Sequence, residues 1–150
     1  MSSKIFLDSS ILVEKTKGTK PDLFDFLFAY RSQDLCINQT VLSEYTFYLL
    51  IIEGGKAPVT LKRDAAISSI IRDHNPVNWL KSITYLELDN SIITEYLRLM
   101  QRYNLLPNDA LILATCKLHG VTYLASYDND FGPACAGEEI KLIQQIDDLD

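Results

Sequence analysis

Histidine is nearly absent from this 150-residue chain, with only His74 and His119. His74, beside Asn75 and Pro76, reads as a loop residue. His119 falls in the last turn of a helical segment, where contact with free carbonyls is reason enough for it. Neither is assigned a catalytic role, so acid–base chemistry built on a histidine pair is set aside. Cysteine is scarce too. Cys36, Cys116 and Cys135 are odd in number, have no C-x-x-C spacing and sit in or beside apolar residues. Free buried thiols in a reducing compartment are therefore expected, and with them an intracellular, cytoplasmic protein. Excess positive charge is missing: the net charge is −6. A protein gripping nucleic acid over its whole surface is thereby excluded, although a local basic patch is not. No apolar run has signal-peptide or membrane-spanning length; the greasiest stretch, 41–52, is broken by Ser43, Glu44 and Thr46. A soluble protein with no membrane partner is expected. G-x-S-x-G, P-loop and G-x-G-x-x-G patterns are absent, as are repeats and low-complexity tracts.

What is present is a chain with 47% hydrophobic residues, enough to bury one core, and a single domain over 1–150 is expected. Short apolar runs at 5–7, 35–38, 83–88, 121–125 and 140–143 read as strands. Segments with helical periodicity at 22–30, 41–52, 61–71, 91–103 and 108–119 lie between them. Pro21, Pro58 and Pro107 stand where helices begin, and Gly120 where one ends. Alternation of strand and helix implies an α/β sandwich with a mainly parallel sheet. The acidic end, "QQIDDLD", is expected to be solvated and frayed.

Several acids occupy costly places. In "KIFLDSSILV", Asp8 follows an apolar strand directly, where α/β sheets gather ligands, although Asp before Ser is also a good helix N-cap. In "NQTVLSEYTFYLLII", Glu44 has Val41, Phe47, Tyr48 and Ile51 as its helical neighbours, so an apolar face is expected around it. An ionised carboxylate stripped of water without a partner loses several kcal/mol. Asp109, in "LLPNDALILATCKLHG", lies among Ile112, Leu113 and Cys116, although a first-turn acid also suits the helix dipole. In "TYLASYDNDF", Asp128 and Asp130 follow another strand, in a sequence that also suits a tight turn.

Right-handed βαβ connections place strand ends and helix starts at one sheet edge, so these acids are expected to converge. Like charges about 4 Å apart repel by about 4 kcal/mol at an effective dielectric near 20. Apart from Lys4 and Lys117, each at the far end of its segment from the acid, none of the motifs contains Lys or Arg. A hard divalent cation, Mg²⁺ or Mn²⁺ rather than zinc, is the expected counter-charge.

These motifs, "IFLDSSILVE", "VLSEY", "NDALILATCKLHG" and "YLASYDNDF", resemble in order and spacing those of the PIN domain family. Its small stand-alone members are mostly VapC-type toxin ribonucleases. The resemblance implies a three-layer α/β/α sandwich with a central, mainly parallel sheet. It implies that Asp8, Glu44, Asp109 and Asp128 are catalytic and metal-binding, with Asp130 a further metal-binding acid. Ser9, Ser126 and Asn108 would then orient that site. It further implies Mg²⁺- or Mn²⁺-dependent endoribonuclease activity that leaves 5′-phosphate and 3′-hydroxyl ends, a homodimer, and a cognate antitoxin protein. Two departures stand out: Ser126 replaces the commoner Thr, and the segment 54–79 is long. "EKTKGTK" places Lys15, Lys17 and Lys20 in what reads as a loop soon after Asp8, where RNA phosphates would be met.

A phosphoacceptor domain needs an acidic pair after the first strand, and a haloacid-dehalogenase-type phosphatase needs Asp-x-Asp there; Ser9 and Ser10 deny both. An RNA-processing nuclease that is not a toxin would carry the same acids. The rival from another class is a PIN-like module that binds RNA or protein without cutting.

Overall fold

The computed structural model describes residues 3–149; Met1, Ser2 and Asp150 lie outside the described residues. Five strands form one sheet: β1 (Ile5–Leu7), β2 (Leu35–Ile37), β3 (Thr84–Tyr85), β4 (Tyr123–Ala125) and β5 (Lys141–Ile143). Their order is β3-β2-β1-β4-β5, and every pairing is parallel. β1 and β2 are buried along their whole length, as strands covered on both faces must be. β3 is shorter than the expected 83–88. Its two residues are exposed at the sheet edge, and Ile83 and Leu86 on either side supply its buried anchors.

Helices flank the sheet. They are α1 (Ser9–Lys17), α2 (Asp22–Tyr30), α3 (Gln39–Gly54), α4 (Pro58–Arg63), α5 (Ile67–His74), α6 (Val77–Leu80), α7 (Ile92–Tyr103), α8 (Pro107–Leu118) and α9 (Gly132–Gly137). α1 packs on α2 and α3, whereas α7 packs on α8 and α9. The chain leaves β1 toward β2 on one side, while β4 joins β1 on the other. The carboxyl ends of β1 and β4 therefore flank a topological switch point, where α/β sheets form their ligand crevice.

Three expectations are corrected. Of the stretch read as a loop after Asp8, residues 14–17 belong to helix α1, while 18–20 form the turn that follows it. The helix ends at Gly18, whose φ of 75° is left-handed and whose N–H closes on Lys15 and Glu14. Only Ile11 and Leu12, with Ser9, are buried on it, so its periodicity is faint. The helix expected over 61–71 is two helices, α4 and α5. The break comes at Ala65, with φ of 55°, where the Ala66 N–H turns back to the Leu61 carbonyl at 2.9 Å. Lastly, the acidic tail is closed into a 3-10 turn (Ile146–Leu149). Asp148 Oδ2 accepts the N–H groups of Gln144 and Gln145 at 2.9 and 3.1 Å.

Candidate active site

Asp8 stands at the first position past β1. Its N–H donates to the Ala125 carbonyl of β4 at 2.9 Å, which continues the ladder and fixes its backbone. The side chain does not cap α1. Instead its Oδ2 receives the hydroxyls of Ser126 and Ser10, each at 2.7 Å. Asp8 is 6% exposed and Ser126 fully buried. Oδ1 has no hydrogen bond among the described residues.

Glu44 rides on α3, whose N-terminus is capped by Asn38: its Oδ1 accepts the Val41 N–H at 3.0 Å. Asn38 is fully buried, and its Nδ2 donates to Thr115 Oγ1 on α8 at 2.8 Å. One amide thus couples the helix carrying Glu44 to the helix carrying Asp109. The expected apolar face around Glu44 is corrected. The buried stripe of α3 is Val41, Tyr45 and Leu49, whereas Phe47, Tyr48 and Ile51 are exposed. A helix this rich in apolar residues does not declare by periodicity which side faces the core. Ser9 Oγ donates to Glu44 Oε1 at 3.3 Å, and Asn108 Nδ2 to Oε2 at 3.0 Å. Burial raises the Glu44 carboxyl above its ordinary range and the Asp8 charge adds to that, while the bonds from Asn108 and Ser9 pull it back.

Asp109 lies in the first turn of α8, with Ile112, Leu113 and Cys116 buried below it as expected. Its carboxylate has no hydrogen bond among the described residues. Burial pushes it up to about 6, and the charges of Asp128, Asp8, Glu44 and Asp130 all act in the same direction. Ser9 and Asn108, the chain neighbours of Asp8 and Asp109, both donate to Glu44, which sets these three segments side by side. Asp128 follows β4. Its N–H donates to Ser126 Oγ at 3.0 Å, and its Oδ1 accepts the Asp130 N–H at 2.9 Å. That last bond is the tight-turn geometry; Asp130 lies at the exposed rim.

Among the described residues, none of these five acids pairs with a lysine, arginine or histidine, and no three acidic, histidine or cysteine side chains form a ready-made metal cage. The donor chemistry nevertheless fits a hard cation: the atoms available are carboxylate oxygens, several without hydrogen bonds among the described residues, in surplus negative charge. A cleft of about 340 Å³, lined in part by Gln39, Thr40, Ser43, Glu44 and Asn108, opens beside them. A larger cavity of about 480 Å³, lined by Phe26, Tyr30, Arg31, Ile146, Asp147 and Leu149, holds none of these acids.

The lysines are less alike than their spacing implies. Lys15 Nζ is 2.6 Å from Asp25 and Lys17 Nζ 3.8 Å from Glu14, whereas Lys20 lies over the Tyr127 ring at 4.9 Å. His119 bonds the Glu87 carbonyl at 2.8 Å, outside its own helix. Two residues of the site escaped sequence reasoning. Ser10 was visible as the second serine of "DSS", and Asn38 as the Asn before a helix start.

Acidic residues drawn from four segments to the carboxyl edge of a parallel sheet, with no cation among them, define an α/β domain with an acidic centre. The sequence matches the PIN domain model over residues 5–135, and the chain belongs to that family. It is similar to Ribonuclease VapC2 of Methanocaldococcus jannaschii, 33% identical over 132 residues that cover 86% of this chain and 87% of that one. Ribonuclease VapC6 of the same organism is 29% identical over 153 residues, covering 86% and 91%. Among solved structures, a toxin–antitoxin complex from Klebsiella pneumoniae superposes with a TM-score of 0.58 at 23% identity, covering 86% of this chain and 90% of that one.

Proposed function

We propose that the protein is a Mg²⁺- or Mn²⁺-dependent endoribonuclease that acts as the toxin of a toxin–antitoxin pair. The observation that carries this reading is the hydrogen bonding at one sheet edge: Ser126 bonds both Asp8 and the Asp128 N–H, and Ser9 and Asn108, the chain neighbours of Asp8 and Asp109, both donate to Glu44. Such a cluster needs a counter-charge, and an all-oxygen donor set calls for a hard divalent ion. Asp8, Glu44, Asp109 and Asp128 would hold it, with Asp130 at the rim and waters completing the shell. When bound, the ion would supply acidification of a water and neutralisation of charge on phosphoryl oxygens.

The chain's own residues do the positioning. Ser10 and Ser126 hold one oxygen of Asp8, and Ser9 with Asn108 holds both oxygens of Glu44. In the hydrolysis, a water oxygen bonds to phosphorus and the bond from phosphorus to the 3′ oxygen breaks. A proton passes to that oxygen, which leaves a 3′-hydroxyl opposite a 5′-phosphate.

RNA is the substrate favoured by the ribonuclease names of the M. jannaschii relatives. The toxin role and an antitoxin partner are favoured by the Klebsiella complex. A homodimer is favoured by Phe47 and Tyr48, which are 50% and 46% exposed beside Ile51 on α3. The cytoplasm is favoured by three buried free cysteines, and no described helix is long and apolar enough to cross a membrane.

The test is incubation of cellular RNA with the purified protein in Mn²⁺, Mg²⁺ or EDTA, with sequencing of new 5′ ends. Metal-dependent ends are expected from the wild type and none from Asp8→Asn. Equal cleavage by both proteins, or none by the wild type in either metal, would overturn the reading.

A further inference from the structure

A second cleft, also of about 340 Å³, has Lys20, Asp22, Tyr127, Gln144 and Gln145 among its walls. Tyr127 stands between Ser126 and Asp128 in the chain, so its backbone borders the acidic centre, although none of the five acids lines the cleft. Its N–H donates to Ser10 Oγ at 3.1 Å, the same hydroxyl that bonds Asp8. The ring packs on the core, and its hydroxyl donates to the Lys20 carbonyl at 3.3 Å. The Lys20 ammonium returns to lie 4.9 Å from the ring centroid. Lys15 and Lys17 face carboxylates, whereas Lys20 has no acidic partner among the described residues. Gln144 commits its Nε2 to Asn129 at 2.9 Å and keeps its amide oxygen, and Gln145 is exposed.

An aromatic ring, a cation without an acid and amides at the edge are the parts of a single-stranded nucleotide site: the ring stacks a base, the cation meets a phosphate, and the amides face the base edge. We propose that this cleft holds the nucleotide adjoining the scissile phosphate of a single-stranded RNA, with its base on Tyr127 and its phosphate on Lys20. The inference rests on the ribonuclease reading above. Without RNA, the ammonium covers the ring in a weak cation–π contact. An incoming phosphate draws Lys20 away through a stronger, charge-assisted hydrogen bond and bares the ring for stacking. Asp22, on the same wall, and Glu14 both set negative charge near Tyr127, so Lys20 is the cationic contact that this cleft offers a phosphate.

The test uses the full-length Asp8→Asn protein, which binds without cutting, and a fluorescein-labelled single-stranded RNA followed by anisotropy over a salt series. In that background Tyr127→Ala is expected to bind about tenfold more weakly, and Tyr127→Phe to bind like its parent. Lys20→Ala is expected to lower the slope of log K against log salt by about 0.7, and Lys20→Arg to restore it. Should Tyr127→Ala melt early, Tyr127→Leu keeps the apolar bulk without the aromatic face and decides instead. Parental affinity and slope in folded Tyr127→Ala and Lys20→Ala overturn the subsite. RNA cleavage by wild-type protein, scored alongside, then leaves the ribonuclease reading standing. Absence of that cleavage overturns both.

Discussion

The Ser126 hydroxyl donates to Asp8 Oδ2 at 2.7 Å and ties the carboxyl end of β4 to that of β1 across 118 positions of sequence. Ser10 donates to the same oxygen. Each hydroxyl also accepts a backbone N–H from the segment after β4, Ser126 from Asp128 and Ser10 from Tyr127. A hydroxyl that both donates and accepts is held at two ends. The orientation of Asp8 and the path of the chain through Asp128 therefore depend on the same pair of oxygen atoms.

Ser126→Ala removes one donor to Asp8 and leaves the Asp128 N–H without its acceptor. Because Ser126 is fully buried, the expected cost is about 1–2 kcal/mol in urea unfolding. RNA cleavage is expected to fall about tenfold, since Asp8 keeps its charge and loses only part of its hold. Asp8→Asn, by contrast, is expected to abolish cleavage while the protein still folds. Cleavage by Ser126→Ala at the wild-type rate would show that Ser10 alone suffices to orient Asp8.

How much of this was legible in the residues follows from which forces act locally. β1 and β2 are short runs of buried apolar residues bounded by polar ones, and such runs declare themselves. The expected convergence of Asp8, Glu44, Asp109 and Asp128 could be argued because these acids follow strands or stand near helix starts, and parallel topology leaves one edge for both. Hidden were features set by tertiary contacts. α1 is held by Ile11 and Leu12 rather than by any strong periodicity. The outward turn of Phe47 and Tyr48 depends on Tyr45 winning the core side of α3, where it meets Trp79 edge to face at 5.5 Å. The close seating of α4 on the end of α3 likewise depends on Gly54, where a Cβ would come within 2.5 Å of Leu61.

Asp109 makes stability depend on pH and on metal. Its folded pKa, about 6, lies above the ordinary 3.8. Its contribution therefore favours the fold fully below the ordinary value and is lost as pH rises through about 6. After allowance for solvent screening of this part-exposed group, about 1 kcal/mol is at stake. In EDTA, the urea midpoint of the wild type is expected to fall over this interval, and Asp109→Asn to fall less, with Glu44 supplying a remainder of the same sign. At pH 7, Mn²⁺ is expected to raise the melting temperature of the wild type and to do so much less for Asp109→Asn. A pH dependence identical in the two proteins would refute the assignment of Asp109 as the crowded acid.

Asn38→Ala should be costly for a single surface-free position. It leaves the Val41 N–H uncapped and Thr115 Oγ1 without its donor, both inside the fold. The expected loss is about 2–3 kcal/mol in urea unfolding, the sum of a cap and a buried hydrogen bond. Asn38→Asp keeps the cap and loses the donor, so it is expected to recover only part of that stability. Full recovery in Asn38→Asp would show that the link from α3 to α8 adds nothing beyond the cap.

The opposite pH behaviour is expected at Glu138, remote from the acidic centre in its contacts. Its side chain is 5% exposed and joins three elements: Arg98 Nη2 at 2.6 Å and Tyr103 Oη at 2.6 Å on α7, and Lys117 Nζ at 3.5 Å on α8, with Glu138 itself closing α9. The bond from the Arg98 guanidinium, with help from Tyr103 and Lys117, holds the carboxyl at about 2, below the ordinary 4.5. A depressed carboxyl stabilises the fold above its unfolded pKa, and that contribution is lost as pH falls through the folded one. Because Arg98 and Lys117 are each more than a third exposed, the cost expected for Glu138→Gln at neutral pH is about 2 kcal/mol rather than the full value for a buried pair. Near pH 3 the gap between variant and wild type is expected to shrink to less than half, because below 4.5 the unfolded carboxyl takes up a proton that the folded one, at about 2, does not. Urea unfolding of both proteins at the two pH values measures it. A gap that stays constant with pH would mean that Glu138 acts by packing and neutral hydrogen bonding to Tyr103 rather than by charge.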